Sequence, residues 1–168
     1  MYIAADSDFV ANAVEECPGC TMPHDELAAA TIQVVFCAVQ EVYRRDACVN
    51  LRLTGYDIRT NPNSDPYRDT RLASVGVCDD NNSHLQKLAS WLGTTGNDPS
   101  NGDRTTFHLF YGDPNASGYR TIGCAWMRTL CSQTHAAGVN EMSWSSSLTL
   151  KRNLLAHENG HNYAVSGR

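Results

Sequence analysis

The chain contains no run of basic residues. Its 13 Lys and Arg are outnumbered by 18 Asp and Glu, for a formal net charge of −5. No cationic face is therefore expected, and neither nucleic acid nor an anionic membrane surface is an expected partner. Long hydrophobic runs are also missing. The longest apolar stretches fall well short of the ~20 residues that cross a bilayer. The start, Met1-Tyr2-Ile3-Ala4-Ala5 followed by Asp6 and Asp8, has neither the basic flank nor the apolar run of a signal peptide. A mature domain cut from a longer precursor is the expectation. There is no internal repeat and no linker-like segment. A length of 168 residues suits one domain, 1–168, with a sizeable core.

What the chain has in plenty is cysteine. Cys17, Cys20, Cys37, Cys48, Cys78, Cys124 and Cys131 are many for this length. Cys17 and Cys20 form a single C-x-x-C with no second pair to complete a four-cysteine zinc site. Disulfides in a secreted protein are the better reading. Cys124 and Cys131 flank a short loop after a strand and are the favoured pair. Seven is odd, so one thiol is expected to be free or paired outside the chain. The sequons at Asn81 and Asn115 fit a secretory route.

Periodicity predicts alternating strands and helices. Tyr2–Ala5 reads as a first strand and Cys17–Cys20 as a turn. A long helix opens at Pro23, Asp25 and Glu26 and ends near Arg44 and Arg45. Alternation of Val49, Leu51 and Leu53 with polar residues predicts a strand running to Ile58. The Asn/Asp/Pro/Ser-rich stretch 61–80 reads as a loop, and Ser83 as the cap of a second helix carrying Leu85, Leu88 and Leu92. Thr106–Tyr111 predicts a central strand and Thr121–Trp126 another, in which Gly123 suggests a bulge or a close backbone approach. Met142–Ser146 suggests a short strand, and a helix is expected from about Thr149 onward. The expected class is α/β with a mixed sheet.

That last helix carries His157-Glu158-Asn159-Gly160-His161, an H-E-x-x-H pattern. Residues i and i+4 share a helix face, so His157 and His161 can aim at one metal ion. Neutral imidazole suits zinc, and Glu158 is placed to hydrogen-bond a water on that metal. This is the donor set of a zinc-dependent hydrolase. Two surface histidines on a solvated helix would give the same letters. The preceding Leu154, Leu155 and Ala156 argue instead for a buried helix, whose polar side chains need partners. His24, His84, His108 and His135 show no ligand spacing and read as surface or satisfied core histidines. His108, inside an apolar strand, reads as a packing residue.

Several segments together resemble a known family. They are Tyr2 to Phe9, Val42-Tyr43-Arg44-Arg45-Asp46, Phe107-His108-Leu109-Phe110, Ser117-Gly118, Ile122-Gly123-Cys124-Ala125-Trp126 with Leu130-Cys131, and Leu155 to Tyr163. The chain resembles the ADAM/reprolysin-type metallopeptidases of the metzincin clan, most of all the reprolysin-like domains of fungi and other microbial eukaryotes. The resemblance implies a zincin-type N-terminal subdomain: a twisted sheet of about five strands, mostly parallel, with one antiparallel edge strand near Thr121–Trp126. It also implies an extended peptide or protein substrate added to that edge. His157 and His161 correspond to two zinc ligands, and Glu158 to the general base acting on the zinc-bound water. Zn2+ is the implied cofactor, and a secreted monomer the implied form.

The family's longer motif is H-E-x-x-H-x-x-G-x-x-H. Here Ala164 stands at its glycine and Gly167 at its third histidine, while Asn159 stands at a usually apolar position. The Met-turn subdomain is expected beyond Arg168, so 1–168 is expected to be a catalytic domain incomplete at its C-terminus. Two readings follow. One is a zinc endopeptidase domain, and the other a non-catalytic pseudoprotease that binds peptides or a partner along the edge strand. Catalytic zinc normally has three protein ligands, which is what separates the two.

Overall fold

The computed structural model describes residues 1–74, 76–78, 82–113 and 121–163. The sequon residues Asn81 and Asn115, and the motif positions Ala164 and Gly167, lie outside them. In chain order the elements are β1 (Tyr2–Ala5), α1 (Ser7–Glu15), α2 (His24–Asp46), β2 (Gly55–Ile58), a 3-10 turn (Pro62–Ser64), α3 (Pro66–Leu72) and α4 (His84–Leu92). They continue with β3 (Phe107–Tyr111), β4 (Gly123–Ala125), β5 (Ala137–Glu141) and α5 (Leu148–Tyr163). The strands form one five-stranded sheet in the order β2-β1-β3-β5-β4. Every pairing is parallel except β4 with β5, which is antiparallel. The expected α/β class and mixed sheet are what the chain adopts.

Both faces of the sheet are covered, as parallel strands require. On one face Ile3, Phe9, Ile32, Val39, Phe110 and Leu155 join α1, α2 and α5 to the sheet. On the other, Tyr67, Leu88, Phe107, Leu109 and Val139 join α3 and α4. The β3 sequence supplies both layers, with Phe107, Leu109 and Tyr111 facing one way and Phe110 the other. By length and hydropathy α2 could cross a membrane, although the sequence shows no unbroken apolar run of that length. Its Ala28, Ile32, Val35 and Val39 face is core, while Val34 on another face is exposed.

Four local expectations are corrected. Helix α1 was not foreseen; Asp6 caps it by accepting from the Phe9 amide at 2.7 Å. The stretch read as a loop at 61–80 contains α3. Asp65 caps that helix through the amides of Tyr67 and Arg68, and Pro66 fits its first turn. The strand expected from Val49 pairs only from Gly55. Before that, Cys48 has a positive φ of 55°, and Leu51 gives its carbonyl to the Gln40 side chain rather than to a neighbouring strand. Finally, the strand expected at Met142–Ser146 lies earlier, at β5. All five β5 residues are buried, so its small and polar sequence shows no alternation to read.

His84, the first residue of α4, is 1 % exposed, and neither ring nitrogen has a hydrogen-bond partner. The expectation of a satisfied core histidine fails for it. Its ring meets Tyr111 edge to face at 4.9 Å. Burial, with Arg71 nearby, pushes its pKa down to about 3. In the unfolded chain it titrates near 6.5. Below that pH the unfolded state binds a proton that the folded state refuses, so this contribution to stability is lost as pH falls from 6.5 toward 3. His84→Phe removes the effect. Its stability relative to the parent is expected to improve by about 2 kcal/mol between pH 7 and pH 5, read from denaturant melts at both values. An equal difference at the two pH values would show that His84 is not buried in neutral form.

Candidate functional site

Helix α5 is anchored to the rest of the fold at several points along its length. Near its start Lys151, 3 % exposed, pairs with Glu16, which caps the C-terminus of α1, at 2.7 Å. Leu155 is fully buried in the core. The Tyr43 hydroxyl of α2 donates to the Ala156 carbonyl at 3.0 Å. At the far end the Asn162 amide donates to the Trp126 carbonyl at 2.7 Å. The buried face thus runs through Lys151, Leu155, Asn159 and Asn162, four positions spaced for one side of a helix.

The opposite side carries His157 and His161. The expectation that both are buried is corrected: His157 is exposed and His161 partly so. The apolar run before them faces the core while the rings face out, toward space a substrate can reach. Their Nε2 atoms stand 3.1 Å apart, with ring planes 84° to one another. Two imidazoles on one tetrahedral zinc, each bonded at 2.0–2.1 Å, hold their nitrogens about 3.3 Å apart. The pair therefore fits a shared metal ion. Burial, then the neighbouring His157, lowers the pKa of His161, which keeps it neutral and able to ligate. Among the described residues no third His, Cys, Asp or Glu joins them.

Glu158 lies between the two, turned toward the sheet edge and 5 % exposed. Its carboxylate fits where Gly123 of β4 has no side chain. A Cβ there would fall 2.6 Å from Glu158 Oε1 and 2.8 Å from Leu154 Cδ1. The close approach suggested by the glycine is therefore to the Glu158 side chain. Oε2 has no protein hydrogen-bond partner, and burial raises the carboxyl pKa to about 7. A carboxyl in that range suits proton exchange near neutrality. Glu158 and His157 line a cavity of about 470 Å3 that also includes Ile122, Gly123, Trp144 and Leu150.

Strand β4 is where an edge strand was expected. Its three residues pair with β5, and the pairing continues on both sides: Glu141 donates to the Ile122 carbonyl at 2.7 Å and Trp126 to the Ala137 carbonyl at 3.2 Å. The geometry is antiparallel and the strand is last in the sheet, so one row of its backbone groups is not used by the sheet. The remaining histidines divide between surface (His24, His135) and interior (His84, His108).

The cysteine pairing differs from expectation. Cys124 bonds Cys78, not Cys131, with Cα atoms 5.7 Å apart. The Cys124 side chain packs toward the α3/α4 layer, away from Cys131, which is exposed at a positive φ of 65°. Cys17 bonds Cys20. Cys37, Cys48 and Cys131 are free and exposed, three thiols where one was expected. The Cys78–Cys124 bond ties the edge strand beside Glu158 to the segment before α4.

A family model matches residues 1–165, all but the last three residues of the chain. The chain belongs to metallo-peptidase family M12. It is a metallopeptidase domain of reprolysin type, as the resemblance implied, and its five-stranded mixed sheet agrees with that fold. No curated protein matches the chain.

Proposed function

We propose that the chain is a secreted zinc endopeptidase domain, in which His157 and His161 hold the metal, Glu158 is the general base, and β4 receives the peptide. One observation carries this reading: two imidazole nitrogens converge to 3.1 Å immediately beside a buried carboxyl at the sheet edge. Zinc, when bound, supplies Lewis acidity toward water and the scissile carbonyl. The chain's own groups do the rest. Glu158 accepts the proton of the attacking water, held in place by Gly123 on one side and Leu154 on the other. The unused backbone row of β4 aligns an extended substrate by strand addition. The two disulfides support an oxidising compartment.

A second reading, a non-catalytic peptide-binding domain, draws on the absence of a third ligand among the described residues. Metal analysis after dialysis separates them. The parent chain is expected to retain one zinc per molecule, and His157→Ala with His161→Ala to retain none. Zinc retained by the double variant would refute the ligand assignment. Stoichiometric zinc without cleavage of any peptide in a mixed library would favour the binding domain.

A further inference from the structure

Behind α5 lies a buried polar chain that the proposed reaction does not use. His108 of β3 is fully buried and faces α5 rather than the α3/α4 layer. Its Nε2 is 3.2 Å from Oδ1 of Asn159, also fully buried. On the other side Asn140 of β5 donates through Nδ2 to His108 Nδ1 at 3.2 Å and to the Leu109 carbonyl at 3.3 Å. Because Asn140 donates to Nδ1, the ring proton sits on Nε2 and points at Asn159. Burial lowers the His108 pKa to about 3, so the ring stays neutral. Room for it is left by Gly138, where a Cβ would meet the ring at 2.7 Å.

Asn159 is the next residue after Glu158, and successive helix residues differ by ~100° in direction. An apolar side chain at 159 would pack in the same place with little preference for one rotation of the helix. A hydrogen bond to a fixed ring in the central strand has one solution, and buried polar pairs are best attested in setting such registers. With Asn159 turned to His108, Glu158 falls against Gly123, and His157 and His161 fall on the open side.

We propose that the Asn140–His108–Asn159 chain sets the rotation of α5, and so the aim of His157, Glu158 and His161; the three are positioning residues. The proposal rests on the zinc-peptidase reading above and adds which interior groups make that site work.

The test uses His108→Leu, Asn159→Leu and the double variant in the full chain. Thermal melts, zinc affinity by chelator competition, the Co(II) absorption spectrum, and kcat and KM for a peptide are measured. Each single variant leaves a buried polar group unpaired and is expected to lower Tm; the double removes both ends of the His108–Asn159 bond while Asn140 keeps the Leu109 carbonyl, and is expected to regain most of it. Zinc affinity and kcat of the double variant are nevertheless expected to stay about tenfold below the parent, with a shifted Co(II) spectrum, as for lost support behind a metal ligand. KM is expected within twofold. His108→Gln, which keeps a donor toward Asn159, is expected to hold zinc affinity within threefold and covers the case of a double variant that does not fold. Recovery of zinc affinity and kcat together with Tm in the double variant, or a His108→Gln loss equal to that of His108→Leu, would overturn the proposal. A parent chain that neither takes zinc nor cleaves peptide would take down the underlying reading as well.

Discussion

Glu158→Gln is expected to lower kcat for peptide cleavage by roughly a hundred- to ten-thousand-fold, the range for removing a positioned general base. Zinc content is expected to match the parent, because Glu158 is not among the converging nitrogens. The substitution keeps the shape that fits against Gly123 while removing the carboxylate proposed to accept the proton. KM is expected to change little, since in the proposed function β4 rather than the carboxyl holds the peptide. Peptide turnover and metal per chain, measured on the same preparation, decide it. Unchanged turnover in Glu158→Gln would remove Glu158 from the reaction, and lost zinc would make it a ligand instead.

Gly112→Ala is expected to have the largest effect on stability, at least about 3 kcal/mol and enough to prevent folding at 37 °C. Gly112 follows β3, and its amide donates to Asp6 Oδ1 at 3.1 Å. A Cβ there would lie 2.5 Å from the Asp8 carbonyl carbon, 2.6 Å from its oxygen and 2.7 Å from the Phe9 amide nitrogen. All three are backbone atoms at the start of α1, so no side chain can rotate away to relieve the clash. The crowding falls where Arg71 bonds Asp8 and lies 3.6 Å from Asp6, so a displaced α1 also loosens buried charges. Gly76→Ala, where a Cβ meets nothing within 4 Å, serves as the neutral control. Similar urea midpoints for the two variants would show that the approach of α1 to β3 is not tight.

The residues around the site differ in how readable they are from sequence. His157, Glu158 and His161 were legible because one helix carries all three and its periodicity brings the two imidazoles together without any tertiary knowledge. The seat of Glu158 was half legible: the glycine in Thr121–Trp126 signalled a close approach but could not name what approached. His108 was read as a packing residue, and its link to Asn159 bridges 51 positions of sequence, which no local pattern encodes. The same contrast runs through the fold. β1, α2, α4 and β3 announced themselves by apolar runs and caps. α1 and α3 had caps too, Asp6 and Asp65, but their polar settings resembled loops. β5 is Ala-Gly-Val-Asn-Glu, buried by its neighbours in the sheet rather than by its own hydrophobicity. The Cys78–Cys124 bond depends on which way the edge strand faces, and that is set only once β5 is in place.

The pairing of β1 with β3, Tyr2 against Phe107 through Ala5 against Phe110, shapes how the molecule comes into being. During synthesis Tyr2–Ala5 leaves the ribosome long before its partner exists. At about 5–20 residues per second, that wait lasts roughly 5–20 s. Until then one long side of an apolar strand, destined for the middle of the sheet, has no partner within its own chain. Pairings so distant in sequence also close slowly once both strands are available. Yield in any expression host is therefore expected to depend on how well nascent chains are kept apart during those seconds.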